Sequence, residues 1–161
     1  MSSTGHRQAF FEHRTQPADV AGDAARGGTP HTPAFVLVSP RPHTGKTFLA
    51  RLLVDFLWLD ERGVAAFDLN PGDGTLADLR PAVTARADLV TTSGQMALFD
   101  RLILDDGMPK VVDVGHATFD RFFEVFQTIG FVAEAVRRGV EPVILYLADA
   151  HQQVLQRGAL Q

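Results

Sequence analysis

The chain has 161 residues, a formal net charge of −4 at pH 7 and no cysteine. This length allows one domain with a sizeable core, and a hydrophobic content of 45% is typical of globular proteins. The lack of cysteine excludes disulfides, thiolate metal sites and cysteine nucleophiles, and the acidic balance argues against a protein that coats nucleic acid. The sequence shows neither the apolar core of a signal peptide nor an apolar run of membrane-spanning length, so we expect a cytoplasmic protein.

The N-terminal region differs in composition from the rest of the chain. Residues 1–33 are rich in glycine and proline and show no sustained hydrophobic period. We therefore predict a flexible leader over residues 1–33, followed by one α/β domain over residues 34–161.

Beyond the leader, short apolar runs alternate with helical patterns. The runs predict four strands, at residues 34–39, 64–69, 110–115 and 142–148. The helical patterns predict three helices and a fourth that opens near the C-terminus, at residues 46–62, 94–105, 119–138 and 149–161. The strand at 142–148 is almost unbroken in its apolar character, which indicates burial on both faces, and residues 76–86 are predicted to be an irregular connection. The alternation predicts a mainly parallel sheet with helices on both faces.

A candidate functional stretch lies between the first strand and the first helix. The strand runs into a loop that ends in Gly45-Lys46-Thr47, and an apolar helix follows at once. This order is that of a phosphate-binding loop, because the loop turns its N–H groups inward and the helix N-terminus adds partial positive charge. Lys46 would then reach the β- and γ-phosphates, and the Thr47 hydroxyl would bind Mg²⁺.

Two prolines depart from the usual G-x-x-x-x-G-K-[ST] pattern. Pro40 replaces the first glycine, and Pro42 has no N–H to donate to a phosphate. The cradle uses mostly the amides of the later half of the loop, from His43 to Thr47, so we expect it to bind phosphate nonetheless. The alternative is an eroded loop that keeps the fold and binds no nucleotide.

Aspartates end two further predicted strands. Asp113 directly follows an apolar run and is the predicted Mg²⁺ ligand, and Asp68 is expected to orient a water or the metal. The alternatives are a turn or helix-capping role for Asp113 and a solvated turn position for Asp68. His43 and His116 lie in loops that could face the same site, with solvated loop histidines as the alternative.

The loop resembles the deviant Walker A motif, K-G-G-x-G-K-[ST], of the ParA/MinD partition-ATPase superfamily. Gly45-Lys46-Thr47 matches the motif, Arg41 stands at its first lysine, and Pro42-His43 replaces its glycine pair. The segment Asp68-Leu69-Asn70-Pro71 is similar to the D-x-D-P segment of the family, and the strand end at Asp113 is similar to its Walker B strand. The resemblance covers residues 34–148. Family domains usually continue with further strands, which implies a shortened domain.

This resemblance implies a three-layer P-loop NTPase-like fold and ATP with Mg²⁺ as cofactors. The implied nucleotide-binding residues lie in the loop and the first turn of the helix: Arg41, His43, Thr44, Gly45, Lys46, Thr47 and Phe48. The implied metal ligands are Thr47, Asp113 and Asp68, and the implied catalytic residues are Lys46, Asp68 and Asn70. Because Asn70 stands where the family has an acid, we expect slow or absent ATP hydrolysis.

The resemblance also implies a nucleotide-dependent switch in DNA partition, plasmid transfer or cell positioning, acting as a homodimer or through a protein partner. The sequence does not support direct binding to DNA or to a membrane.

Two alternatives stay open. A small P-loop kinase or ligase of the dethiobiotin-synthetase kind would need an acceptor pocket, and the sequence shows no lid with clustered arginines, because Arg80 and Arg86 are too scattered. A non-enzymatic interaction protein would keep the fold and dock through the apolar face of residues 48–59 or of residues 122–136.

Overall fold

The computed structural model describes residues 31–59, 63–72 and 74–148. Most of the predicted leader and the predicted helix at 149–161 lie outside these residues. Within them, strands and helices alternate along the chain. In order they are β1 Thr32–Val38, α1 Lys46–Trp58, β2 Ala65–Asp68, α2 Leu76–Leu79, β3 Thr84–Arg86, α3 Thr92–Leu102, β4 Lys110–Asp113, a 3-10 turn His116–Thr118, α4 Phe119–Thr128, α5 Phe131–Arg137 and β5 Val140–Tyr146.

The five described strands form one parallel sheet in the order β3-β2-β4-β1-β5. Strand β1 lies between β4 and β5, so that Val36 pairs with Val112 on one side and with Ile144 on the other. Neighbouring parallel strands need crossover connections, and each connection in this chain contains at least one helix. The predicted α/β class and the predicted parallel sheet are confirmed.

Helices cover both faces of the sheet. Successive residues of a strand point to opposite faces, and the buried residues accordingly divide into two hydrophobic clusters. One cluster joins Val36 and Val112 to helices α3, α4 and α5, and the other joins Leu37 and Val111 to helices α1 and α2. All four of these strand residues are fully buried, as expected for central strands of a parallel sheet.

The chain leaves the neighbouring strands β1 and β4 in opposite directions. From β1 it passes through α1 to β2, and from β4 it passes through α4 and α5 to β5, on the far side of β1. The two connections lie on opposite faces, so the carboxyl ends of β1 and β4 form a topological switch point. Open α/β sheets bind their ligands at such a switch point. The fold therefore brings the loops after Val38 and Asp113 to one place.

Three predicted elements differ in the structure. Residues 76–86 contain helix α2 and strand β3 instead of an irregular connection. The sequence pattern does not predict these two elements, because four and three residues are too few to show a hydrophobic period. The helix predicted over residues 119–138 is interrupted at Gly130, whose φ of 62° separates α4 from α5. The prediction that the last strand is buried on both faces is wrong. Strand β5 is an edge strand of the described sheet, and Ile144 and Tyr146 are 42% and 59% exposed.

Helix α1 keeps a large apolar surface in contact with solvent. Its sheet-facing residues Ala50 and Val54 are buried, whereas Phe48 and Phe56 are 66% and 71% exposed. A helix that is apolar on all sides is normally buried on all sides, so the exposure of this outer face departs from that rule. None of the described helices combines the length and the apolar character needed to cross a membrane.

Candidate functional site

The loop between β1 and α1 ends in left-handed backbone at the start of the helix. Gly45 has a φ of 86° directly before α1, and His43 has a φ of 57° although it is not glycine. The N–H groups of residues 45–48 have no intrahelical partners, as at the start of any α-helix. Among the described residues, no side chain caps the helix by accepting from these groups. A helix terminus of this kind attracts an anion.

Lys46 is the first residue of α1 and is almost fully buried. Its Nζ donates to the backbone oxygen of Arg41 at 3.1 Å and to Oγ1 of Thr44 at 3.4 Å, so the side chain lies against its own loop. Burial lowers the pKa of this ammonium group, and the charge of Asp113 opposes the shift. A buried cation whose hydrogen bonds go to neutral oxygens would gain from a bound anion.

Asp113 ends β4 and is fully buried. Its Oδ2 accepts hydrogen bonds from Thr47 Oγ1 at 2.7 Å and from Asn70 Nδ2 at 3.0 Å. Its Oδ1 is buried and has no hydrogen-bond partner among the described residues. Burial raises the pKa of Asp113, the bond from Thr47 lowers it, and the charge of Asp68 raises it. A buried carboxylate oxygen without a partner is unfavourable, so this atom marks a place where a ligand would be stabilised.

Asp68, at the end of β2, has chain donors on both of its carboxylate oxygens. Its Oδ1 accepts from the backbone N–H and from Nδ2 of Asn70, each at 2.9 Å, and its Oδ2 accepts from the Ala77 N–H at 2.8 Å. Ala77 lies in the first turn of α2, so this carboxylate fixes the connection between β2 and α2. Both carboxylate oxygens of Asp68 are therefore used to hold Asn70 and the start of α2.

The structure brings five of the sequence-predicted residues into one connected group: Lys46, Thr47, Asp68, Asn70 and Asp113. Arg41, His43 and Phe48 lie on the loop and the first turn of α1 with exposed side chains. The backbone N–H of Arg41 donates to Ser39 Oγ at 3.3 Å. His116 is exposed in the 3-10 turn that follows β4. The residues predicted at the strand ends therefore lie together, and the exposed residues lie around them, with the backbone oxygen of Arg41 accepting from Lys46 Nζ.

The sequence predicts no role for Gly115, which shapes this group. A Cβ added at Gly115 would lie 2.9 Å from Asn70 Oδ1 and 3.2 Å from the backbone oxygen of Leu69. Glycine at this position therefore leaves the room that the Asn70 side chain occupies beside Asp113. A glycine two residues after a strand-end aspartate is the only signal that could have indicated this role.

Thr47 and Asp113 are the residues that could hold Mg²⁺. Hydroxyl and carboxylate oxygens are the hard donors that Mg²⁺ prefers, and Mg²⁺ usually takes one or two carboxylates together with phosphate oxygens and waters. The unpartnered Oδ1 of Asp113 is an atom that such a cation would satisfy. Within the part of the chain that the structure describes, no group of three or more His, Asp or Glu side chains could hold a metal alone. The donor set therefore fits a cation that arrives with a phosphate.

Two cavities, of about 430 and 400 Å³, lie beside β3 and share Trp58 and Val83 in their walls. Neither Lys46 nor Asp113 lines them. Arg80, in the wall of the second cavity, forms an ion pair with Asp55, whereas Arg101 is the arginine in the wall of the first. Neither cavity lies beside the loop before α1, where the kinase or ligase alternative requires an acceptor pocket.

Comparisons of the chain with protein-family models, with curated proteins and with solved structures found no match. The likeness of the loop to the ParA/MinD motif remains a hypothesis based on a few residues. The function is therefore inferred from the geometry of the group around Asp113.

Proposed function

We propose that this protein is a P-loop-type nucleotide-binding protein with a three-layer α/β fold, and that it binds ATP together with Mg²⁺. The observation that carries the proposal is the buried Oδ1 of Asp113, which lacks a partner while Oδ2 of the same carboxylate accepts from the Thr47 hydroxyl. Thr47 stands in the first, uncapped turn of α1, next to the buried ammonium of Lys46. A metal-bound polyphosphate complements this combination of groups at the topological switch point of the sheet.

The roles of the residues follow from their atoms. Thr47 and Asp113 would hold Mg²⁺, and the N–H groups of residues 45–48 would bind phosphate oxygens. Mg²⁺, when bound, neutralises charge on the phosphate oxygens. Lys46 would leave the Arg41 carbonyl and the Thr44 hydroxyl for the β- and γ-phosphates, and a charged acceptor makes a stronger hydrogen bond than either.

The same geometry supports slow or absent hydrolysis. A general base needs an oxygen that can accept a proton from the attacking water. Both carboxylate oxygens of Asp68 already accept chain N–H groups, and Asn70 offers an amide where the resembling family has an acid. The protein would therefore be a weak ATPase at most, and nucleotide binding rather than turnover would set its state.

The likeness to the ParA/MinD superfamily supports a biological role as a nucleotide-dependent switch in DNA partition, plasmid transfer or cell positioning. A net charge of −4 gives no support for direct contact with DNA or with an anionic membrane. The switch would then act through a second copy of the chain or through a protein partner.

Equilibrium titration with ATP, in Mg²⁺ and in EDTA, tests the proposal. We expect micromolar binding that is tighter with Mg²⁺. Thr47→Val removes the hydroxyl at similar side-chain size and should lose the Mg²⁺-dependent part of the affinity. GTP in place of ATP tests the choice of base, and a folded wild-type protein that binds neither nucleotide would refute the proposal.

The outer face of α1 favours a second candidate, a protein that acts through self-association. This face carries five large apolar side chains that are between 37% and 83% exposed: Phe48, Leu49, Leu52, Phe56 and Leu59. They expose on the order of 600 Å², compared with about 800 Å² per partner in a standard interface. A second copy could cover this surface with its own α1 in an isologous contact. Light scattering should then show a dimer that Phe56→Glu dissociates, whereas a monomer at all concentrations would contradict this candidate.

A further inference from the structure

Asn70 connects the two buried carboxylates of the site. Its Nδ2 donates to Asp68 Oδ1 at 2.9 Å and to Asp113 Oδ2 at 3.0 Å, and its backbone N–H donates to Asp68 Oδ1 at 2.9 Å. A primary amide has two N–H protons, so one can go to each carboxylate. A single side chain thereby joins the end of β2 to the end of β4.

The surroundings of Asn70 fit one orientation of its amide. Only the nitrogen can donate, and the atoms within its reach are two carboxylate oxygens and, at 3.5 Å, the backbone oxygen of Asp113, all of which accept. The amide oxygen points toward Gly115, where an added Cβ would come within 2.9 Å of it. The nitrogen end of the side chain is therefore matched by acceptors, and the oxygen end occupies the room that Gly115 leaves.

This arrangement sets the orientation of the Asp113 carboxylate. Its Oδ2 is held by two donors, the hydroxyl of Thr47 and the amide of Asn70. With Oδ2 held in this way, the unpartnered Oδ1 has a defined direction within the buried site. The amide also separates two acidic groups that would otherwise face each other without a donor between them.

We propose that Asn70 is a positioning residue for metal binding, which orients Asp113 toward the Mg²⁺ of a bound nucleotide. This inference rests on the proposed function and deepens it, because it assigns Asn70 to the binding of the metal-bound form of ATP. The amide is then required at this position, and it is more than the remnant of a catalytic acid.

The affinity for ATP in Mg²⁺ and in EDTA, measured for wild type and Asn70→Ala, tests this role. Outer-shell partners of metal ligands typically contribute about 10- to 100-fold in affinity, so we expect a loss of that size in Mg²⁺. In EDTA the affinities should agree, because the loop N–H groups and Lys46 are unchanged. A merely structural defect would weaken both, and an Asn70→Ala protein with the wild-type gain from Mg²⁺ would overturn the inference.

A second measurement needs no variant, because Asn70 is the only asparagine in the chain. Protein labelled with ¹⁵N-asparagine should show one side-chain amide pair by NMR. Both protons are in hydrogen bonds to buried carboxylates, so we expect them to exchange with solvent more slowly than those of free asparagine. Exchange at the rate of free asparagine would overturn the inference even if Asn70→Ala did not fold.

These measurements distinguish failure of the proposed nucleotide binding from failure of the proposed role of Asn70. If folded wild-type protein binds ATP in neither buffer, the proposed function fails and the role of Asn70 falls with it. If wild type shows Mg²⁺-dependent binding and Asn70→Ala keeps that dependence, the nucleotide site stands and only the role of Asn70 fails.

Discussion

Replacing His43 by glycine should stabilise the protein. His43 has a φ of 57° and an exposed side chain in the loop before α1. The left-handed region costs a residue other than glycine roughly 1–2 kcal/mol, although histidine occupies it more readily than most residues. Glycine in turn lowers stability by about 0.5–1 kcal/mol, because it gives the unfolded chain more freedom. We therefore expect His43→Gly to raise the free energy of unfolding by about 0.5–1 kcal/mol.

Urea unfolding followed by far-UV circular dichroism measures this difference if the slope of the transition is unchanged. Gly45→Ala is the matched control in the same loop, because Gly45 has a φ of 86° and an added Cβ would meet no atom within 4 Å. Backbone strain lowers the free energy of unfolding there and the reduced freedom of the unfolded chain raises it, so a net loss of about 0.5–1 kcal/mol is expected. If Gly45→Ala lowers the free energy of unfolding as expected and His43→Gly lowers it too, the left-handed conformation of His43 is refuted.

Three further predictions concern other parts of the chain. Hydrogen bonds from Arg137 and Arg138 lower the pKa of Glu134 from 4.5 to about 2, so this carboxylate stabilises the fold above pH 4.5 and the contribution is lost as pH falls toward 2. Glu134→Gln should therefore lower stability near neutral pH but not at the acid end of a urea-unfolding series, and an equal effect at both ends would contradict this pairing. Gly130→Ala places a side chain at a φ of 62° and should lower stability by about 1 kcal/mol in thermal unfolding, whereas an unchanged midpoint would argue for a continuous α4–α5 helix. Gly115→Ala should weaken Mg²⁺-dependent ATP binding because the new Cβ would crowd the bridging amide, and an unchanged gain from Mg²⁺ would contradict the close fit.

The convergence of the site residues could be predicted because it follows from the topology of a parallel sheet. Thr47 and Asp113 lie far apart in sequence, yet Thr47 begins the helix that follows β1 and Asp113 ends β4, and the carboxyl ends of these two strands meet at one edge of the sheet. The sequence also places Asn70 two residues after Asp68, so its location at the same edge of the sheet could be predicted. What the sequence could not show is which oxygens the amide would contact, since this depends on the space left by Gly115.

Short elements, helix breaks and the strands at the edges of the sheet were harder to predict. An apolar run such as that of β5 looks the same for a central strand and for an edge strand, so the exposure of Ile144 and Tyr146 follows only from the strand order. Strand β3 has three residues, fewer than a period needs to show itself. The break at Gly130 depended on whether this glycine would adopt a positive φ, which local sequence leaves open.

Calorimetric titration of Mg·ATP and Mg·ADP into wild type and Lys46→Ala tests whether the loop before α1 binds a nucleotide. Arg101→Ala, which removes an exposed cation from α3, is the matched control for the loss of one positive charge. We expect micromolar binding that Lys46→Ala removes and Arg101→Ala leaves in place. Binding that survives in folded Lys46→Ala, or no binding by folded wild type, would contradict it.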